Sequence, residues 1–358
     1  MSETRISIVG GGIAGLIAAK EAEKEFDNIV LYDEGDYEGD RRGPWGELIW
    51  NYSMMELDRN IPGYVREVEK GIFDHKGNET EVNVDDGVII NRGELEKYID
   101  KNLDKTEIKE NTRIDENRFF ELAGESDLLI DASGPFPVSN YFNNLEYDSV
   151  VPTISGRIEG DFSDLYPEPR GIGYKNYFLW IVPQNKKEAT VGLGCLPQNN
   201  SEELDEDLVQ MLKEYNIKVP ETENLYRGVD VSSSAENLKK CSYRLNNCDV
   251  MIVGSAAGLS NSNTRFGLTH AARSARLAIN SFKNDSSYTE KLISENKYRL
   301  RSQNLISPLQ KNLGGLKTLS YITQRDLDYS SIFEPESNTE IVGNFKGFMP
   351  SFSLKDRN

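Results

Sequence analysis

The feature that most constrains this chain is the run Gly10-Gly11-Gly12-Ile13-Ala14-Gly15, which follows directly on the apolar stretch Arg5-Ile6-Ser7-Ile8-Val9. That stretch reads as a short buried strand, residues 16–26 as a helix, and residues 28–32 as a second strand that ends on Asp33. Strand, glycine turn, helix, strand and acid in this order describe a dinucleotide-binding βαβ unit. Gly10 permits the tight turn, Gly12 lets the backbone approach a pyrophosphate, and Gly15 lets the helix pack on the strand. The helix start at Ile13 and Ala14 offers free N–H groups and partial positive charge to phosphates. Asp33, with Glu34 beside it, stands where an acid bonds ribose hydroxyls. Ala14, Ala18, Ala19 and Ala22 keep the helix narrow for close packing.

Further along, residues 36–55 read as irregular and hold Arg41-Arg42-Gly43-Pro44-Trp45-Gly46-Glu47, either a cofactor lid or an ordinary surface loop. Residues 82–90 alternate as a strand, and Asn91-Arg92-Gly93 opens a helix carrying Leu95, Tyr98, Ile99 and Leu103. Residues 127–130 form another buried strand running into Asp131-Ala132-Ser133-Gly134-Pro135. From 150 to about 240 the texture is strand-rich. There Tyr177-Phe178-Leu179-Trp180-Ile181-Val182-Pro183 pairs with Ala189-Thr190-Val191-Gly192-Leu193-Gly194 in a hairpin. Residues 201–215 read as a helix with a solvated acidic face. Residues 249–253 form a late core strand ending in Gly254-Ser255-Ala256-Ala257-Gly258, and residues 268–282 a long helix. The tail from 288 onward reads as one or two helices and a polar end.

Composition narrows the partners. With 59 acidic and 41 basic residues the formal charge is −18 over 358 residues, which disfavours a phosphate backbone and purely electrostatic docking on anionic lipid. The acid excess reports solubility and habitat, including the possibility of a salt-rich one, rather than chemistry. No apolar run approaches the length of a spanning helix, and no leader is visible. Cys195, Cys241 and Cys248 have neither disulfide-framework nor zinc spacing, and His75 and His270 add little, so no metal is expected and a cytoplasmic location is.

The order of elements resembles the FAD-dependent monooxygenase-like oxidoreductases over nearly the whole chain. Val88-Ile89-Ile90-Asn91-Arg92-Gly93-Glu94-Leu95 is similar to the segment where an arginine opens a helix near the flavin. Residues 127–134 resemble its strand–Asp–small–Gly segment, and residues 253–275 its last motif. Within that group, the hairpin from Tyr177 to Gly194 is similar to the YxWxFP…AxVGxG signature of the archaeal geranylgeranyl reductases. The resemblance implies an α/β fold: a Rossmann-like FAD-binding domain (1–150 and 245–285), an inserted antiparallel-sheet substrate domain (151–244) and a C-terminal helical segment (286–358). It implies FAD held by Gly10, Gly12, Ile13, Ala14, Gly15, Asp33, Glu34, Arg92, Asp131, Gly134, Gly254, Ser255, Gly267 and Leu268. Ser255 stands where the family has an aspartate, Arg265 where it has a glycine, and Trp45-Gly46 where the reductases often have Cys-Gly.

The activity so implied is reduction of the double bonds of a long isoprenoid, lipid-borne substrate by reduced flavin, with ferredoxin or NAD(P)H as electron donor and peripheral membrane contact as a possibility. Candidates for lining the pocket or moving a proton are Trp45, Glu47, Tyr177, Trp180, Arg265 and His270. For Tyr177 and Trp180 plain core packing is the competing reading. Cys241 and Cys248 are expected to sit passively beside the core. A lycopene-cyclase-like, hydroxylase or halogenase flavoenzyme, or a flavin-fold binding protein with weakened FAD binding, remain alternatives.

Overall fold

A computed structural model describes residues 4–35, 46–75, 78–174, 177–195, 204–217, 225–261, 266–297 and 299–301. In chain order the first half holds β1 (Arg5–Val9), α1 (Ile13–Ala22), β2 (Asn28–Tyr32), β3 (Gly46–Ile49), β4 (Tyr64–His75), β5 (Asn78–Asn91), α2 (Arg92–Lys101), β6 (Thr106–Lys109), α3 (Glu116–Glu125) and β7 (Leu128–Asp131). The second half holds α4 (Asn140–Asn143), β8 (Ser149–Glu159), β9 (Arg170–Tyr174), β10 (Tyr177–Asn185), β11 (Glu188–Cys195), α5 (Leu204–Glu214), β12 (Tyr226–Ser232), α6 (Ala235–Leu238), β13 (Ser242–Leu245), β14 (Cys248–Ile252), α7 (Leu268–Lys283) and α8 (Tyr288–Glu295).

The first sheet has the order β13-β14-β7-β1-β2-β6. Every pairing in it is parallel except the edge pair β13–β14. A parallel sheet is covered on both faces, and its strands are accordingly apolar on both. Ile6, Ile8, Ile29, Leu31, Leu128, Ile130 and Met251 share one cluster with α1 and α7. Val30, Tyr32, Leu129 and Val250 point the other way, onto Phe119, Leu122 and Ala123 of α3. Burying each such aliphatic side chain stabilises the fold by ~1.5–3 kcal/mol. The alanines expected to pack closely do so: Ala14, Ala18, Ala19 and Ala22 share that cluster with Ala271, Ala272, Ala275 and Ala278 of α7. Small residues on both helices let the backbones approach.

Helix α2 starts at Asn91, whose side-chain oxygen accepts the Glu94 N–H at 3.2 Å and whose own N–H donates to the Gly63 carbonyl at 2.6 Å. Asn91→Ala removes the cap and is expected to destabilise the protein by about 1 kcal/mol in chemical denaturation. An unchanged midpoint would show that the cap contributes nothing.

The second sheet has the order β12-β8-β11-β10-β9-β4-β5-β3. The expected hairpin is there, with Trp180 opposite Gly192 and Asn185 opposite Glu188. One face, carrying Ile154, Ile158, Ile172, Leu179, Ile181, Val191 and Leu193, is covered by Leu204, Leu208, Met211 and Leu212 of α5.

A boundary at residue 150 does not describe these sheets. β3, β4 and β5, from residues 46–91, belong to the second sheet, and β4 runs parallel to β9 from the far side of the expected boundary. The insert is therefore neither continuous nor wholly antiparallel. Part of the stretch read as irregular is also ordered, as strand β3 and a short 3-10 turn at Tyr52–Met55. Among the described residues no helix is long and apolar enough to cross a membrane.

Candidate functional site

The glycine turn works as its spacing requires. Gly10 has φ +97°, and a Cβ there would collide with the Ala132 carbonyl on the neighbouring loop. A Cβ on Gly15 would overlap the Gly10 carbonyl oxygen, so only glycine lets α1 approach β1. Gly12 differs from both. Its backbone is extended (φ −72°, ψ −176°), and a Cβ there would have only the Arg92 Nη2 at 3.7 Å and the Glu96 Oε1 at 4.0 Å nearby. Nothing among the described residues forces glycine at 12; what they leave there is an open cradle. Helix α1 begins over that cradle with no side-chain cap and no acid in its first turn. Its first N–H groups and its positive dipole end are thus available to an anion.

Asp33 is buried at the end of β2. It accepts the Gly11 N–H at 2.5 Å on Oδ2 and the Gly35 N–H at 2.7 Å on Oδ1, and so ties the glycine turn to the loop after β2. Glu34 is exposed beside it, with Arg113 at 4.0 Å.

Arg92 is the first residue of α2, which brings it to Gly12. Its Nε donates to Glu96 Oε1 at 2.9 Å and its Nη1 to Glu47 Oε1 at 3.2 Å. Burial opposes the guanidinium charge, but Glu96 and Glu47 outweigh it and raise the Arg92 pKa. Glu47 stands on β3, whose other contacts face the second sheet. The Gly46 N–H donates to Thr190 Oγ1 at 2.7 Å, and a Cβ on Gly46 would run into the Gln184 side chain. Two adjacent residues of β3 therefore connect the α1 cradle with the β10–β11 hairpin.

On that hairpin the strand period separates the two aromatics expected to act together. Tyr177 packs with Leu179 and Ile181 on the face covered by α5. Trp180, three residues on, lies on the opposite face, because successive strand side chains alternate. Tyr177 thus packs, partly buried, at the edge of the α5-covered core, on the other side of the sheet from Trp180. Trp180 has other companions. Its ring centroid is 6.4 Å from that of Phe178, which is 6.1 Å from that of Phe73 on β4. The row lies over glycines. A Cβ on Gly171 would meet Phe73 Cε1 at 2.8 Å and Phe178 Cζ at 2.9 Å, and one on Gly192 would enter the indole of Trp180. This explains the glycines opposite the aromatics in the hairpin motif.

Asp131 needs a correction. It is fully buried, and its oxygens accept the Ser133 N–H at 3.0 Å, the Ser133 hydroxyl at 2.5 Å and the Ser139 N–H at 2.7 Å. A buried carboxylate with three donors holds its own loop in shape. It presents Gly134, at φ +95° with nothing within 4 Å of a notional Cβ, rather than a ligand contact of its own.

The second strand–glycine–helix unit meets the first. Gly254 (φ +63°) closes β14; a Cβ there would be 2.9 Å from the Ala14 Cβ, and its N–H donates to Ser274 Oγ at 3.0 Å. Ser255 is exposed on the following turn. Gly267 starts α7, where a Cβ would lie 2.8 Å from Ser260 Oγ, and Leu268 is the first residue of the helix. His270 is partly buried in that first turn, next to Thr269, whose hydroxyl donates to the Trp50 carbonyl at 3.0 Å.

Trp45 and Arg265 lie outside the described residues, as do the side chains of His75 and Cys195. Cys241 and Cys248 are buried and free. Burial pushes the Cys241 thiol up and that of Cys248 to about 12, so both are poor nucleophiles. The reading of the residues missed Glu96, Phe73 and Phe178. Glu96 is one helical turn from Arg92 and was accessible as an i,i+4 pair. Phe178 shares strand parity with Trp180. Phe73 joins them only through the β4–β9 pairing.

No family model matches the sequence, and no curated protein matches it. Solved structures do. A geranylgeranyl bacteriochlorophyll reductase-like protein of Thermoplasma acidophilum aligns over 98% of this chain and 97% of its own, with TM-score 0.71 and 17% identity. The flavin-dependent halogenase CmlS aligns over 98% of this chain and 71% of its own, with TM-score 0.63 and 16% identity. A variant of HpxO from Klebsiella pneumoniae, in complex with FAD, aligns over 96% and 97%, with TM-score 0.59 and 14% identity. The chain has the fold of the FAD-binding, Rossmann-type flavoproteins.

Proposed function

We propose that this chain is an FAD-dependent oxidoreductase that reduces double bonds of a long isoprenoid, lipid-borne substrate. The cradle fits the cofactor. A pyrophosphate needs a backbone it can approach, unpaired N–H groups and a cation, and Gly12, the uncapped start of α1 and Arg92 provide these. Gly10, Gly12, Ile13, Ala14 and Gly15 would line the phosphates, Asp33 the ribose, and Gly254, Ser255, Gly267 and Leu268 the flavin end. Bound and reduced, FAD supplies a hydride to an alkene.

The observation that supports the substrate class is the aromatic row on the face of the second sheet opposite α5, joined to the cradle through Gly46 and Glu47. An uncharged alkene offers nothing to hydrogen-bond, so its affinity must come from apolar area at ~25 cal/mol per Å². Phe73, Phe178 and Trp180 provide that area and exclude water from the reacting end. Glu47 and His270 are the titratable candidates for delivering the proton that completes the reduction. The electron donor in this reading is ferredoxin or NAD(P)H. Peripheral membrane contact belongs to it as well: on the segment after β7, Phe136 and Tyr141 are each 72% exposed, an apolar ring beside an amphipathic one of the kind that settles at a bilayer interface.

The test is to load the protein with FAD, reduce it photochemically without oxygen, and add a geranylgeranyl lipid. Gain of hydrogen pairs by mass, together with reoxidation of the flavin, is the expected result. A substrate that returns unchanged removes the reductase reading. The halogenase fold neighbour favours oxygen chemistry as the second reading. That reading predicts oxygen consumption on an apolar substrate where the anaerobic arm fails.

A further inference from the structure

The aromatic face of the second sheet has a polar margin. Successive strand residues alternate between faces, so Thr153 and Ser155 of β8 lie opposite Ile154 and Ile158, which belong to the α5-covered core. They share their side with Phe178 and Trp180, and the register sets them in two rows. Gly192 of β11 stands between Trp180 and Ser155, and Gly194 between Phe178 and Thr153. Directly opposed positions on one face are ~4.5–5.5 Å apart at Cβ. Because neither glycine has a Cβ, the indole lies down along β11. A Cβ on Gly192 would be 2.7 Å from its Nε1, and one on Gly194 would be 3.7 Å from its Cζ3 and 3.8 Å from the Thr153 Cγ2. The N–H edge of the indole is thus at the Ser155 row and its benzene edge at the Thr153 row.

Three uncharged hydrogen-bonding groups border this glycine trough. Ser155 is only 9% exposed, and its hydroxyl makes no hydrogen bond among the described residues; nor do the Thr153 hydroxyl and the Trp180 Nε1–H. Thr190, the next residue of this face toward β3, differs. Its Oγ1 accepts the Gly46 N–H at 2.7 Å and Gln184 Nε2 at 3.2 Å, so it is used to build the junction with the cradle strand. The cation that β8 places on this face is Arg157, and it is paired with Glu188. Asn185 and Arg157 hold the Glu188 carboxyl below the usual carboxylate range, so the pair stays ionised and cancels. Among the described residues β10, β11 and β12 add no further cation on this side.

These groups select among lipid heads. A plain hydrocarbon laid across the trough would bury a hydroxyl without a partner, at the cost of its desolvation. A phosphate would leave water for a place with no counter-charge, in a chain of net charge −18. An alcohol meets both demands: its oxygen accepts from the indole N–H, and its proton goes to the oxygen of Ser155 or Thr153.

We propose that Ser155, Thr153 and the Trp180 Nε1–H form a subsite for an uncharged hydroxyl at the head of the isoprenoid, so that the substrate is a lipid alcohol rather than a phosphate ester. This rests on the reading of the aromatic face as the substrate face.

The experiment titrates FAD-loaded protein with geranylgeraniol, its methyl ether and geranylgeranyl diphosphate in one neutral detergent, following the visible bands of the flavin. The native protein is expected to bind the alcohol about fivefold more tightly than the ether, which keeps the acceptor oxygen but has no proton to give, and at least about tenfold more tightly than the diphosphate. Ser155→Ala/Thr153→Val is expected to bind the alcohol about fivefold more weakly and the ether unchanged, so the preference disappears. Trp180→Phe keeps an aromatic ring without the N–H, and is expected to weaken alcohol and ether alike. Circular dichroism and melting check each variant. Ser155→Ala alone removes one oxygen that the described fold does not bond, and is read in place of the double variant if Thr153→Val disturbs the sheet. Equal binding of alcohol and ether by the native protein, tighter binding of the diphosphate, or a preference that survives in the variants overturns the subsite and leaves the reductase reading in place. An alcohol bound with the expected preference but not reduced by photoreduced enzyme removes the reductase reading and leaves the subsite standing. A native protein that responds to none of the three lipids overturns the substrate face, and the subsite falls with it.

Discussion

Gly12→Val is expected to yield a folded protein that has lost its flavin, whereas Gly15→Ala yields no folded protein. The two glycines belong to one motif but answer to different constraints. A Cβ on Gly15 would overlap the Gly10 carbonyl oxygen, which is backbone and fixed on its other side by the Gly10 N–H bond to the Tyr32 carbonyl at 2.8 Å. Relief requires α1 to move off β1, which opens the largest apolar cluster of the protein. The loss then rivals the ~5–15 kcal/mol by which a protein of ordinary stability exceeds its unfolded state. At Gly12 the backbone is extended, a conformation that valine adopts freely, and the nearest neighbour of a Cβ is the end of a flexible arginine at 3.7 Å. Valine is a poorer helix N-cap than glycine, which costs about 1 kcal/mol and a few degrees of melting temperature. Its methyl groups nevertheless fill the space where a pyrophosphate meets the backbone. FAD affinity is expected to fall by about 100-fold or more, or ~2.7 kcal/mol. Calorimetric melting and flavin titration on the two variants check this. Full flavin uptake by Gly12→Val with a native melting curve would mean that the cofactor binds elsewhere.

Trp180→Ala is expected to reduce isoprenoid turnover far more than flavin content. The indole lies on Gly192, on the face of the sheet opposite α5, and stays partly exposed. If ~100 Å² of it meets the substrate, that area is worth ~2.5 kcal/mol of binding, or nearly two decades in kcat/KM. The cradle is reached through Glu47 of β3 rather than through the indole, and keeps its contacts. Tyr177→Ala is the paired control. It removes a ring from the α5-covered core, so it is expected to lower stability and leave kcat/KM of the folded enzyme near that of the native protein. Equal turnover by native protein and Trp180→Ala would remove the aromatic row from the substrate site. A turnover loss with Tyr177→Ala would put the substrate on the wrong side of the sheet.

What was legible in the sequence was local. The β1–α1–β2 unit could be read from thirty-odd residues because each of its constraints, the tight turn, the close helix and the buried strands, acts between neighbours in sequence. The same holds for the β10–β11 hairpin and for α7. Where the reading failed, the deciding contact was distant. Residues 64–75 join the second sheet only because Ile72–His75 pair in parallel with residues 170–173, and nothing within β4 announces a partner that far along the chain. Asp131 looked like a ligand because it ends a strand before a glycine, as Asp33 does. What sets it apart is the serine at 139, which folds back onto it. Tyr177 and Trp180 were read as one wall through a motif that is a string of letters, while a strand sorts letters by parity. Glu96 was overlooked although it lies one turn from Arg92. A buried acid beside a phosphate cradle makes sense only once the guanidinium that neutralises it is seen.

The central claim is that the α1 cradle and the aromatic face of the second sheet are two halves of one site. Difference absorbance of the FAD-loaded protein on adding a geranylgeranyl lipid tests it most directly. One FAD retained per chain, with visible bands that shift saturably as lipid is added and fail to shift in Trp180→Ala, is the predicted result. Retained flavin whose spectrum ignores the lipid, or a lipid that binds equally well to the flavin-free and flavin-loaded protein, would contradict it.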